Sequence, residues 1–453
     1  MSISGGTPQS GTTVLESAAI PLDLERHVIS KVSRRLLWFL FIMFVFSFLD
    51  RINIGFAALT MIKDLGLTGT QFGLATTIFY IAYISFGIPS NIILERIGAR
   101  KWIATIMIAW GVASTVTMFA VGPNSLYVLR ILVGITEAGF LPGMLLYMTF
   151  WFPSHYRARA NALFMLAMPI TTAIGSVVSG YILNLDGVLG LKGWQWLFML
   201  EGMPCVILGF IVYSYLDDTP QKSKWLTSEE KECLRKTLLA EHKPADNPAA
   251  ATSEKKTLMQ ELLSPTVIKF GVAYFCMVNT LAMVATWVPL IVKSFSVGAS
   301  NTTVGLLAAI PQVCTIVGMI LWGRHSDHRQ ERKWHVTLPM LFAAAGWLFT
   351  AFSVNSVVQL IGICMASTGG FMAMSIFWTT PDHALSLGAR AIGIAVINAT
   401  GNIGSALSSV VVGWLKDLTG NFASGLLYAA VLLVLGSIVF LTIPIKPPAK
   451  PLT

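Results

Sequence analysis

The sequence predicts an all-α membrane protein with twelve transmembrane helices in two pseudo-symmetric six-helix bundles. Its residues are 55% hydrophobic and only 12% charged, and its mean hydropathy is +0.69, which excludes an ordinary soluble globular domain. Apolar segments of about 20 residues recur along the chain, and a helix of that length crosses a hydrocarbon core of about 30 Å. We place spans 1 to 12 at residues 36–56, 72–94, 102–121, 126–150, 160–183, 195–216, 267–292, 301–323, 335–353, 356–380, 390–414 and 422–443.

An internal repeat indicates that the two bundles are related. The tripeptide Arg100-Lys101-Trp102 between spans 2 and 3 recurs as Arg332-Lys333-Trp334 between spans 8 and 9, about half a chain later. Parallel six-helix repeats of this kind hold a substrate near the membrane midplane, at the interface between the halves. The expected segments are a tail at 1–35, a bundle at 36–216, a polar linker at 217–266 with a short helix from about Ser228 to Glu241, a bundle at 267–443 and a tail at 444–453.

Charge in the loops predicts the orientation of the chain. The short even-numbered loops contain ten Lys and Arg residues, whereas the odd-numbered loops contain four. Because basic residues are retained on the cytoplasmic side, the even-numbered loops, the linker and both termini are expected in the cytoplasm. The net charge of +9 is therefore attributed to contacts with a bilayer surface and not to a nucleic-acid partner. The first span is too long for a cleavable signal core and is expected to stay as an anchor.

Charged residues inside two predicted spans are the main candidates for function. Span 1 contains adjacent Asp50 and Arg51, and span 4 contains Arg130 and Glu137, seven residues apart and hence on one helix face. An ionised group at membrane depth costs about 3 kcal/mol, so such groups usually face a polar interior. The pattern indicates an anion carrier in which Arg51 binds a carboxylate. Asp50, Glu137 and Arg130 are expected to couple that binding to protonation. The alternative is that Asp50–Arg51 and Arg130–Glu137 are structural ion pairs.

The second half offers neutral polar side chains where the first half offers charges. Asn398 and Asn402 lie one turn apart on span 11, and Ser375 and Trp378 lie on span 10. With Tyr83 of span 2 they are the candidate substrate ligands, and they indicate that the second half shapes the site while the first handles charge. Hydrogen bonding between helices is the alternative role for the two asparagines.

The sequence contains no motif for nucleotide hydrolysis or covalent catalysis. It has no GxxxxGK[ST] loop, nucleophile elbow or HExxH motif, so we expect neither an ATP-driven pump nor an enzyme. The five cysteines are scattered and the seven histidines fall in predicted tails or loops, so we expect no disulfide, metal site or cofactor. A membrane sensor would carry a folded soluble domain, which the polar linker at 217–266 does not provide. Energy is then expected from an ion gradient.

Two loops and two spans carry a family resemblance. The segments GIPSNIILERIGARKW and WGRHSDHRQERKW resemble the two copies of the loop signature of the major facilitator superfamily, with Asn91 where a glycine is usual and Glu95 in place of Asp. The segments FSFLDRINIGFAAL and RILVGITEAGFLPG resemble one branch of it, the anion:cation symporters of organic anions. The resemblance implies that Arg51 binds the substrate carboxylate and that Asp50 and Glu137 are the protonatable pair. It also implies substrate contacts at Tyr83 and Asn398 and a set of cytoplasmic latch residues: Glu95, Arg96, Arg100, Asp327 and Arg332.

The resemblance also gives an expectation for the substrate. The segments RARANALFMLAMPI and LKGWQWLFMLEG are most similar to carriers of 4-hydroxyphenylacetate, and Met168 on an apolar face of span 5 favours an aromatic acid. We therefore expect a proton-coupled importer of such an acid that works as a monomer in a bacterial inner membrane. Import of a sugar acid or of tartrate is the alternative within the branch. A proton-driven exporter is less expected, because span 5 lacks the Gly-Pro-rich signature of drug antiporters.

Overall fold

The computed structural model describes residues 22–241, 264–385 and 387–445. Within these ranges it contains the twelve membrane-spanning helices that the sequence predicts. The predicted tails and linker fall partly on 1–21, 242–263 and 446–453, which lie outside the described residues. Spans 1 to 6 are Trp38–Asp64, Gly69–Ile97, Ala99–Val116, Pro123–Glu137 continued by Phe140–Trp151, Ser154–Ile182 and Gly193–Tyr215, and spans 7 to 12 are Pro265–Thr286, Asn301–Arg329, Lys333–Phe352, Ser356–Phe377, Leu387–Thr419 and Ala423–Leu441.

Several shorter helices accompany the spans. Leu22–Val32 and a π-helical turn at Ser33–Leu37 lead into span 1 without a break. The continuous helical segment therefore begins at Leu22, before the predicted start at residue 36. Span 4 is interrupted just after Glu137, because Pro142 has no N–H to donate to the preceding turn. The other short helices are Thr117–Phe119, Leu183–Leu185, Val188–Gly190, Pro220–Lys222, Ser228–Glu241, Val288–Phe295 and Pro381–Ala384.

The spans pack mostly against neighbours of their own half. In the first half, span 3 packs on span 6, span 2 on span 4, and span 1 on spans 5 and 6. In the second half, span 9 packs on spans 10 and 12, span 7 on spans 11 and 12, and span 8 on span 10. Large apolar side chains such as Ile88, Phe210 and Ile438 remain exposed, as expected for helices that contact lipid. This packing agrees with the predicted halves, whose boundaries stay a prediction.

The two halves meet along two seams, spans 2 and 11 and spans 5 and 8. Glycine allows the first seam to close, since a Cβ at Gly73 would overlap the carbonyl oxygen of Ser409. The Asp417 carboxylate accepts hydrogen bonds from the backbone N–H of Gly69 at 2.8 Å, and from the N–H and hydroxyl of Thr70 at 2.7 and 2.6 Å. A carboxylate at the end of span 11 thus caps the N-terminus of span 2, where N–H groups lack helical partners. Spans 2 and 11 are therefore joined at the ends that lead into odd-numbered loops.

Asp417 is therefore expected to stabilise the seam. Asp417→Ala should lower the free energy of unfolding by about 1 kcal/mol, because it removes a helix cap, and thermal unfolding in detergent would measure the loss. A double-mutant cycle with Thr70→Ala is the control. The two changes should be less than additive if the contact crosses the seam as described, and strict additivity would contradict it.

The helix predicted in the linker is confirmed at Ser228–Glu241, and it is docked on the first half. Thr227 and Glu230 form a capping box, with the Thr227 N–H donating to Glu230 at 2.8 Å and the Glu230 N–H donating to the Thr227 hydroxyl at 3.2 Å. Lys31 donates to both carboxylate oxygens of Glu230 at 2.8 Å. Trp225 stacks on Trp151 with 5.6 Å between ring centroids. This part of the predicted linker is thus ordered against the spans.

The charge of Glu230 should control this docking. Burial raises the pKa of Glu230, but hydrogen bonds from Lys31 and Thr227 lower it more, so its pKa lies below the ordinary glutamate value. The contribution to stability is present above the ordinary value and is lost only as pH falls through the lowered one, so docking persists at neutral pH. We expect Glu230→Ala to speed tryptic cleavage at Lys231. Glu229→Ala is the exposed control, and equal cleavage rates in both variants would refute the role of Glu230.

Candidate functional site

A cavity lies between spans 1, 2, 4 and 7. The four charged residues that were the main candidates from the sequence line it, together with residues that carry hydroxyl groups and a few apolar side chains. The lining residues are Asp50, Arg51, Ile54, Thr76, Phe79, Tyr80, Arg130, Val133, Glu137 and Thr286.

Arg51 and Glu137 form an ion pair between spans 1 and 4. Nε of Arg51 donates to Oε1 of Glu137 at 2.5 Å. The Glu137 side chain is 1% exposed, whereas Arg51 is 22% exposed and its guanidinium lies 4.8 Å from the centre of the Tyr83 ring. Oε2 of Glu137 is buried without a hydrogen-bond partner among the described residues. The guanidinium is thus accessible to a second anion that would compete with Glu137.

Asp50 is held by neutral donors. Its Oδ1 accepts from the side-chain amide of Asn53 at 2.8 Å and from the hydroxyl of Ser114, and its Oδ2 accepts from the indole N–H of Trp110 at 2.7 Å. Three donors thus satisfy the oxygens of a carboxyl group that is only 2% exposed. Asp50 is therefore fixed in place by spans 1 and 3.

Arg130 is buried in the same cavity, and its guanidinium lies 5.4 Å from the centre of the Phe198 ring. Neither of the two ion pairs considered from the sequence is formed among the described residues. Glu137 pairs with Arg51 and not with Arg130, and Asp50 is bonded to the neutral donors described above. The helix face shared by Arg130 and Glu137 is as predicted, because both side chains line the cavity.

The fold and this cluster agree with a comparison of the whole chain with known families. Residues 40–409 match the model of the Major Facilitator Superfamily. The chain belongs to the Major Facilitator Superfamily. Members of this superfamily are transporters, and the protein is accordingly a membrane transporter and not an enzyme.

Individual proteins of the superfamily extend the match. The chain is 42% identical over 433 residues to a candidate tartrate transporter of Agrobacterium vitis. The aligned region covers 96% of this chain and 95% of that protein. It is 33% identical over 422 residues to a quinolone resistance transporter of Acinetobacter baumannii. That aligned region covers 92% of this chain and 95% of that protein. A solved D-xylose-proton symporter has a TM-score of 0.72 over 91% of this chain and 98% of that chain, and its 16% identity supports the fold alone.

The predicted latch residues of the superfamily loop signature lie at the ends of spans 2, 3, 8 and 9. Arg332 and Asp327 of the second copy form an ion pair, with 2.8 Å between Nη2 and Oδ1. The backbone N–H of Arg100 donates to Asp218 at 3.1 Å, which ties the first copy to the start of the linker. Their role as latches stays a prediction. The other two predicted latch residues are exposed: Glu95 and Arg96.

The predicted ligands of the second half do not line the cavity in this conformation. Trp378 packs edge-on against Tyr274, with 5.0 Å between ring centroids. The Ser375 hydroxyl and the Asn402 amide donate to carbonyls of their own helices at 2.9 and 3.2 Å, and Asn398 is exposed. Of the predicted neutral ligands, only Tyr83 contacts a charged member of the cluster.

Several residues of the site were missed from the sequence, and Thr286, Trp110 and Ser114 are examples. Thr286 brings a hydroxyl from the second half, at a span end that carries no pattern of its own. Trp110 and Ser114 lie four residues apart, so two hydrogen-bond donors on one face of an apolar helix were the available signal for a buried acceptor. Glu201, which is also buried inside a span, does not line the cavity and accepts from Ser179 at 2.8 Å, which indicates a structural role.

Proposed function

We propose that this transporter imports a small hydroxylated carboxylic acid of the tartrate type together with protons, and that Arg51 binds its carboxylate. The observation that carries the proposal is the Arg51–Glu137 ion pair inside the cavity. Glu137 presents to the guanidinium the same group that a substrate would present. Because two carboxylates compete for one guanidinium, protonation of Glu137 and binding of the anion favour each other.

The proposed cycle begins with a proton on Glu137. Protonated Glu137 loses its charge-assisted hydrogen bond with Arg51. Because an unpaired guanidinium is costly away from water, Arg51 then binds the substrate carboxylate. After the change in access the proton leaves, Glu137 recovers Arg51 and the substrate is released. Asp50 is the second acid of the proposed pair. Since three donors already satisfy its ionised form, we assign the first proton to Glu137.

Three observations favour the tartrate-type alternative over the aromatic acid expected from span 5. Met165 and Met168 pack against the apolar core and do not line the cavity, so they give no support to an aromatic substrate. Hydroxyl groups of Thr76, Tyr80 and Thr286 line it, and they suit a polyhydroxylated acid. The relative that is 42% identical over nearly the whole chain is described as a candidate tartrate transporter.

The branch of the superfamily, the oligomeric state and the orientation in the membrane are also proposed. We assign the chain to the anion:cation symporter branch because of the segments FSFLDRINIGFAAL in span 1 and RILVGITEAGFLPG in span 4. We expect it to act as a monomer in a bacterial inner membrane. The loop charges favour the cytoplasm for the even-numbered loops and both termini. Since spans 2 and 11 are joined at the opposite ends, we infer that the cavity opens toward the cytoplasm in this conformation.

Export is the second candidate function, and the quinolone resistance transporter among the relatives favours it. Proteoliposomes separate the two. Tartrate, a sugar acid, 4-hydroxyphenylacetate and a quinolone are added singly, and the proton movement that each causes is recorded. We expect co-directional movement of protons with tartrate. Proton movement opposite to a quinolone, with none caused by any carboxylate, would contradict the importer.

A further inference from the structure

Arg130 is a buried cation, two of whose guanidinium nitrogens lack a hydrogen-bond acceptor among the described residues. Its side chain is 4% exposed, and its Nε and Nη2 atoms are buried without an acceptor among the described residues. A buried charged donor left without a partner is costly, so an acceptor is expected in some state of the transport cycle. The side chain lines the same cavity as Arg51, which brings two guanidinium groups to one small site.

The two nearby carboxylates do not meet this need. Glu137 is engaged by Arg51, and Asp50 by Asn53, Trp110 and Ser114. Asp50 and Glu137 lower the cost of the Arg130 charge at a distance, but within the described part of the chain neither accepts a hydrogen bond from Nε or Nη2 of Arg130. The ring of Phe198 covers the guanidinium at 5.4 Å and supplies no acceptor in its plane.

We propose that Arg130 binds a second carboxylate of the substrate, so that the cavity takes a short dicarboxylate with one end on Arg51 and the other on Arg130. A guanidinium has donors in a planar fork that matches a carboxylate in bidentate geometry. Arg51 and Arg130 line the same cavity, so a short diacid is the kind of substrate that would contact both guanidinium groups once the site opens. This assignment rests on the proposed import of carboxylic acids, and it moves Arg130 from proton coupling to substrate selection.

Tartrate and threonate are the probes that test it. Threonate is a four-carbon hydroxy acid that differs from tartrate by a hydroxymethyl group in place of one carboxylate. Initial uptake of each acid is measured in proteoliposomes with the parent protein, Arg130→Gln and Arg130→Lys. The parent protein should prefer tartrate. Arg130→Gln should reduce tartrate uptake by about 10- to 100-fold, the range for a charge-assisted hydrogen bond, and should change threonate uptake by less than about threefold.

Retained threonate uptake shows that Arg130→Gln is folded. If that variant transports neither acid, Arg130→Lys decides, because it keeps the charge but loses the fork. A partial tartrate preference in Arg130→Lys supports the proposal, and an equal loss of both acids overturns it. A full tartrate preference in Arg130→Gln, with only proton-driven accumulation lost, also overturns it and returns Arg130 to proton coupling. Failure of the parent protein to transport any carboxylate overturns the proposed function itself, and this assignment with it.

Discussion

Arg51→Ala is expected to reduce tartrate uptake by about 100-fold or more, because truncating one partner of a buried charge pair costs several kcal/mol. The substitution removes the proposed substrate anchor and leaves Glu137 without the cation it pairs with at 2.5 Å. Uptake of radiolabelled tartrate into proteoliposomes with an imposed proton gradient measures the effect. Arg51→Lys should recover only part of the activity, since an ammonium group lacks the bidentate fork.

A matched control separates this effect from a general loss of charge. Arg235→Ala removes an exposed arginine of the linker helix whose partner is Glu232 on the same helix, and it should leave uptake unchanged. Arg51→Ala vesicles that accumulate tartrate as well as the parent protein would eliminate Arg51 as the anchor.

Glu137→Gln is expected to abolish proton-driven accumulation while preserving exchange of tartrate between the two sides of the membrane. The amide cannot release a proton, and it binds a guanidinium more weakly than a carboxylate does, so Arg51 remains available to the substrate. Counterflow of labelled against unlabelled tartrate measures exchange, and accumulation under a pH gradient measures coupling. Accumulation by the parent protein should rise with the gradient, whereas the variant should not respond to it.

Glu201→Gln is the control for Glu137→Gln. Glu201 is as deeply buried as Glu137, but it bonds to Ser179 and does not line the cavity. We expect this variant to accumulate tartrate normally. A Glu137→Gln protein with full proton-driven accumulation would show that another group carries the proton, and a coupling defect confined to Glu201→Gln would assign the proton to Glu201.

The spans and the linker helix were predictable because their signals are local. Each span needs only a run of apolar residues long enough for the bilayer, and the helix at Ser228–Glu241 needs only a short amphipathic run. The depth of Asp50 and Arg51 in span 1 and the common face of Arg130 and Glu137 follow from helical geometry alone. The candidate charges of the site could therefore be named without a structure.

The partners of those charges depend on how the helices pack. Arg51 and Glu137 are 86 positions apart, and the ion pair between them replaces the pairs that neighbours in sequence would make. The same packing brings Trp110 and Ser114 to Asp50, and it leaves Nε and Nη2 of Arg130 without an acceptor in the part of the chain that the structure describes. Helical periodicity specifies which residues share a face of one helix. It does not specify which faces of separate helices meet, since that depends on how all the side chains between them pack.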